Sequence, residues 1–156
     1  CTIISKPYSN FLWYTSWLSC ISGLFAVYRG HYYLAPAPFG VWLTSINYWY
    51  HPDYSWRRYI DMIYVHIAII YKTLYAYNVC FINDSRSFHF LLCNKPNIYL
   101  YYGLLLIGVL FLPIGVYYYK RCDILRSTLC HSQLHVFGNI SNIVLYNALV
   151  RANTKY

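Results

Sequence analysis

The chain has 156 residues, a length that predicts a single domain over 1–156, and it is 59% hydrophobic, 22% aromatic and only 10% charged. Soluble proteins carry roughly a quarter charged residues, so this composition excludes an ordinary soluble fold and predicts an integral membrane protein. The net charge of +8 does not point to nucleic acid, because the basic residues stand as ones and twos at the ends of apolar segments, where they anchor helices at lipid headgroups.

Five apolar segments approach the length of about twenty residues that a membrane helix needs. The first runs from Asn10 to Tyr28 and reads as a permanent span, since no small-residue cleavage site follows a short apolar core. Its Ser19 and Gly23 form a small-x-x-x-small pair suited to close helix approach. The second runs from Tyr32 to Tyr50, with Pro36 and Pro38 predicting irregular first turns. A polar turn, "HPDYSWRR" (51–58), leads to the third, Tyr59 to Asn78. Residues 79–97 read as a loop with a short interfacial turn. The fourth span, Ile98 to Tyr119, is the most apolar, and Pro113 is expected to kink it. The basic turn "KRCDILR" precedes the fifth, Ser127 to Val150.

Short connections predict an all-α, up-and-down antiparallel membrane bundle of about five helices. Tyrosines and tryptophans crowd the span ends as an aromatic belt. There is no internal repeat and no low-complexity linker. The pairs Arg57-Arg58 and Lys120-Arg121 in tight turns favour a cytoplasmic N-terminus. Of the six cysteines (Cys1, Cys20, Cys80, Cys93, Cys122, Cys130), Cys80 and Cys93 flank one loop and are placed for a bridge, although nothing in the pattern requires it.

Ionisable residues within spans are costly and therefore functional candidates. Asp61, one turn into the third span, reads as a helix-start aspartate paired with Arg57 or Arg58, or as a proton carrier or orienting partner for a histidine. Lys72, three turns further on the same face, is expected to snorkel to an interface, with a polar interior as the alternative. His66 reads as a packing residue. As a haem ligand it would need His131 or His135 opposite. The fifth span carries the most distinctive pattern. His131, His135, Asn139 and Asn142 step by four, four and three residues and share one helical face. Interhelical hydrogen bonding is the favoured reading, helped by Gly138 and Ser141 between them. The other is a metal site, because histidines at i and i+4 offer two ligands to zinc. The carboxylates available for a third are Asp53, Asp61, Asp84 and Asp123. In an antiparallel bundle Asp61, His51 and Ser45 fall at the level of His131 and His135.

Two resemblances follow from these residues. "LTSINYWYHPDYSWRRYIDM", "LPIGVYYYK" and "STLCHSQLHVFGNISNIVLY" look like a group of uncharacterised small multi-spanning membrane proteins of large DNA viruses of protists and algae. That likeness implies a viral inner or host organelle membrane. Ser45, Asp61, His131 and His135 also resemble, in order, the motif of the transmembrane hydrolase superfamily of alkaline ceramidases and adiponectin-type receptors. Trp49 stands where that motif has a histidine, and His51 follows in the turn. The likeness implies Zn²⁺ on His131, His135 and His51, a metal-activated water, Asp61 as base or orienter, and Ser45 as a polar stabiliser.

Three functions are therefore expected in descending order. The first is a non-catalytic structural or assembly protein without a cofactor, whose partners are the bilayer and other membrane or virion subunits. The second is a zinc-dependent lipid amide or ester hydrolase. The third is a small transporter or channel with Asp61 and Lys72 on its path.

Overall fold

The computed structural model describes residues 4–82 and 91–151. Five helices carry the fold: α1 (Lys6–Tyr28), α2 (Pro36–Tyr50), α3 (Trp56–Tyr77), α4 (Lys95–Lys120) and α5 (Ile124–Ala148). A π-helical turn, Asn78–Ile82, prolongs α3. Strands β1 (Leu91–Cys93) and β2 (Leu149–Arg151) form a short antiparallel ladder that pairs Leu91 with Arg151 and Cys93 with Leu149.

Helix starts are set by local chemistry more than by hydropathy. Ser55 accepts a hydrogen bond from the Arg57 amide, Asn94 from that of Asn97, and Asp123 from that of Arg126, so α3, α4 and α5 each begin about three residues before the apolar run. Pro36 lies in the first turn of α2, where its missing N–H costs nothing. Residues 32–35 consequently belong to the preceding turn, not to an irregular helix start. Gly30 supplies the left-handed backbone (φ 76°) that ends α1. Pro113 sits inside α4, which continues on both sides of it.

The expectation of five spans narrows to three. Lys6–Tyr28, Trp56–Ile82 and Lys95–Lys120 are long and apolar enough to cross a membrane. With 15 residues, α2 is only about 22 Å long, short of a hydrocarbon core of about 30 Å. Helix α5 has the length, 25 residues, but its polar face lowers its hydropathy.

Around the bundle the helices run in the order α3, α2, α1, α5, α4. Small residues set the closest approaches. A Cβ on Gly108 would lie 3.2 Å from that of Phe137, and one on Gly115 would lie 3.3 Å from that of Cys130, so α4 rides directly on α5. Gly23 of α1 faces the Phe39 ring of α2. Tyr64 lies across Gly40 and donates to the Pro36 carbonyl at 3.2 Å, joining α3 to α2. Helices α3 and α4, although consecutive, do not pack along their length. Hydrogen bonds join α3, or the turn before it, to α4 near the two ends. Tyr102 donates to the Thr73 carbonyl (3.2 Å) at one, and the Tyr54 and Tyr119 hydroxyls meet at 3.4 Å at the other.

The end near Thr73 is clamped. A Cys80–Cys93 disulfide ties the segment after α3 to the start of α4, and the β1–β2 ladder ties that start to the end of α5. Behind them lies the main core, in which Tyr101 and Tyr146 are both 0% exposed among Ile98, Leu145, Ala26 and Leu34. The opposite end holds the two tight turns, 51–55 and 121–123, and a smaller cluster of Leu12, Tyr48 and Trp49.

Candidate functional site

Polarity in this bundle is inside out. Apolar side chains such as Leu24, Ile63, Ile70, Leu106 and Leu110 point outward, while serines, asparagines, an aspartate and a lysine are buried. Each buried polar group needs a partner, and following those partners divides the α5 stripe into two parts.

The asparagine half is bonded to its neighbours. Ser22 of α1 donates to Asn139 Oδ1 at 2.8 Å. Asn139 Nδ2 donates to Ser19 Oγ (3.2 Å) and to the His135 carbonyl (2.6 Å). Asn142 Nδ2 reaches Ser22 Oγ at 3.4 Å, and its Oδ1 accepts from Lys72 Nζ of α3. Lys72 therefore does not snorkel. It is 5% exposed and turned into the bundle, because Asn142 offers an acceptor at its own depth.

The whole stripe lines a cavity, and the histidine half does so without side-chain hydrogen bonds to other helices among the described residues. His131 packs against the Trp49 ring, with centroids 5.0 Å apart, and against His135 at 5.3 Å. His135 is 8% exposed, and its Nε2 has no hydrogen-bond partner. The cavity, about 490 Å³, is lined by residues of all five helices, and Ser45, Asp61, His131, His135 and Lys72 are among them. His66 stands at its margin, exposed, with Nδ1 2.6 Å from the Met62 carbonyl of its own helix.

Asp61 is not paired with either arginine. It is 7% exposed, and its Oδ1 accepts from Ser45 Oγ at 2.7 Å and Thr44 Oγ1 at 2.9 Å, which links α3 to α2. The arginines are otherwise engaged. Arg57 donates to Asp53 Oδ2 at 2.7 Å, and Arg58 lies 5.1 Å from the centroid of the Tyr54 ring. Asp53 and Asp61 both stand four residues from Arg57, but Asp53 lies in the turn, so pairing it costs less desolvation than pairing a carboxylate one turn inside the bundle. Hydrogen bonding from Ser55, and then from Arg57, holds the Asp53 carboxyl below the usual carboxylate range.

Four of the five residues expected at a site thus line one cavity, and His51 does not. His51 is exposed beyond the last turn of α2, its ring edge-on to Tyr50 with centroids 4.9 Å apart. The motif position of the missing histidine is filled by Trp49, whose indole takes up the space beside His131. Asp53 pairs with Arg57, Asp123 caps α5, and Asp84 lies outside the described residues. Among the described residues no group of three or more His, Cys, Asp or Glu is arranged to hold a metal ion. His131 and His135 alone fall short of a three-ligand zinc site.

Two participants escaped the sequence reading. The buried serines of α1, Ser9, Ser16, Ser19 and Ser22, recur at helical spacing, and Ser19 and Ser22 supply the partners of the asparagines. That periodicity was visible, but short hydroxyl side chains blend into an apolar span. Arg58 was visible as a charge, yet its place at the cavity wall depends on how α3 meets α4. No protein-family model, curated protein or solved structure matches the chain.

Proposed function

We propose that the chain is an integral, multi-pass membrane protein with a non-catalytic assembly role, the apolar exterior of the bundle facing lipid and partner subunits. The observation that carries this reading is the inverted polarity of the bundle. Asn139, Asn142, Lys72 and Asp61 are buried and bonded across helices, whereas the outward residues of every helix include large apolar side chains. In water that arrangement would expose far more apolar surface than a monomer carries. The resemblance to small viral membrane proteins supports a viral inner membrane or a host organelle membrane as the setting. The disulfide supports an orientation with the clamped end in an oxidising compartment and the arginine-bearing turns in the cytoplasm.

Extraction and labelling test this together. The protein should stay with membranes at alkaline pH, and exposed Cys122 in the 121–123 turn should react with a membrane-impermeant maleimide only once the cytoplasmic side is opened. Release at alkaline pH, or labelling from the outside, contradicts the reading.

A second reading, metal-dependent lipid amide or ester hydrolysis, draws on one observation, that Ser45, Asp61, His131 and His135 line the same cavity. It requires a ligand beyond the two histidines. Near-stoichiometric zinc in the purified protein, lost in a His131→Ala/His135→Ala double variant, would favour it over the assembly role.

A further inference from the structure

The assembly role leaves the cavity without a use, and its walls are too specific in their chemistry to be a packing fault. The cavity borders the flank where α3 and α4 do not pack. Met62 and Ile69 of α3 and Leu112 and Val116 of α4 line it there. Those apolar lips admit a molecule that travels in the bilayer.

Behind the lips, polar atoms wait without partners. His135 Nε2 and Trp49 Nε1 are buried and unbonded. Both hydroxyls that reach Asp61 converge on Oδ1, so no hydroxyl serves Oδ2. Buried polar atoms left unpaired are uncommon and costly, and the two ring nitrogens line the same space as the Asp61 carboxylate. They lie in the part of the bundle towards the tight turns, where a lipid places its ester carbonyls and hydroxyls.

Arg58 marks that end of the cavity. Asp53 has taken Arg57, and the guanidinium of Arg58 stacks on Tyr54 with no carboxylate beside it among the described residues. A planar guanidinium at an interface suits the oxygens of a phosphate. From Arg58 to Lys72 the wall of α3 extends for about 21 Å, so the space is elongated. Its volume of about 490 Å³ lies within the range of small-molecule sites, about 300–1,000 Å³.

We propose that the cavity binds a single-chain lipid with a phosphate head, which enters from the bilayer between α3 and α4. The phosphate sits on Arg58. The linking hydroxyl or carbonyl meets His135, Trp49 and Asp61, and the acyl chain lies along Ile69, Leu112 and Leu105 on the α3–α4 side of the cavity.

The test uses the protein in phosphatidylcholine nanodiscs with lysophosphatidic acid carrying a photoactivatable chain. Saturable labelling on the cavity-facing α3 or α4 peptides is expected. Arg58→Gln should weaken lysophosphatidic acid about tenfold, the effect of losing one charge-assisted contact, and leave a monoacylglycerol of the same chain unchanged. Val116→Trp, on the exposed lip, should weaken both lipids and serves if Arg58→Gln fails to fold. Inorganic phosphate alone should not compete. Labelling that never saturates and spreads over outer helix faces, an unchanged affinity in both variants, or full competition by inorganic phosphate would overturn the proposal.

Discussion

The two ends of this bundle solve the same problem in opposite ways. At the clamped end, Tyr101 and Tyr146 are fully buried in a filled core, and a disulfide and a strand ladder tie the surrounding segments together. At the turn end the helices are linked by short turns, the core cluster is small, and a cavity with unbonded polar atoms reaches inward from Arg58. The contrast separates what holds the protein together from what it has available for binding. The cross-links are concentrated at one end, and the unbonded polar atoms that line the cavity lie towards the other.

Breaking the clamp should have a large effect. A Cys80→Ser/Cys93→Ser variant loses a cross-link over a 13-residue separation, which should cost about 3 kcal/mol in denaturant titrations in detergent. The α2–α3 link of Ser45 and Thr44 to Asp61 should survive it. Next comes the seam that serves both ends. Gly115→Leu forces bulk into an approach where even a Cβ would sit 3.3 Å from Cys130, and should cost about 1–3 kcal/mol by the same titration. Smaller still is Tyr146→Phe. The Tyr146 hydroxyl is buried in the clamped core without a partner, so its removal should leave the melting temperature unchanged or raise it slightly. Smallest is Asp53→Asn, at an exposed turn. The native Asp53 carboxyl titrates below its unfolded value, so its contribution is present above the unfolded pKa and fades as pH falls through the lower, folded one. The variant should melt slightly below the wild type at neutral pH, and the gap should close as the pH falls.

Much of this was legible in the residues. Helical class, the order of the apolar segments and the shared face of His131, His135, Asn139 and Asn142 follow from periodicity alone. Helix starts did not, because Ser55, Asn94 and Asp123 recruit polar residues into the first turns that hydropathy assigns to loops. The environment of Asp61 was misread because the nearest opposite charges in sequence, Arg57 and Arg58, are drawn off by Asp53 and Tyr54, while its true partners stand on another helix. Lys72 was misread for the same kind of reason. Its depth was clear, but the acceptor that holds it inside lies 70 residues away on α5. Periodicity identifies a face and is silent about which neighbour that face meets.

The division of the α5 stripe is the central claim, and paired double variants test it most directly. Asn139→Leu/Asn142→Leu and His131→Leu/His135→Leu should be melted side by side in the same detergent. The asparagine variant strands Ser19, Ser22 and the Lys72 ammonium, and is expected to lose about 3 kcal/mol or more. The histidine variant removes groups that face the cavity and is expected to stay within about 1 kcal/mol of the wild type. A histidine variant that falls as far as the asparagine one would mean that the whole stripe holds the bundle together, and that the turn end keeps no unsatisfied chemistry of its own.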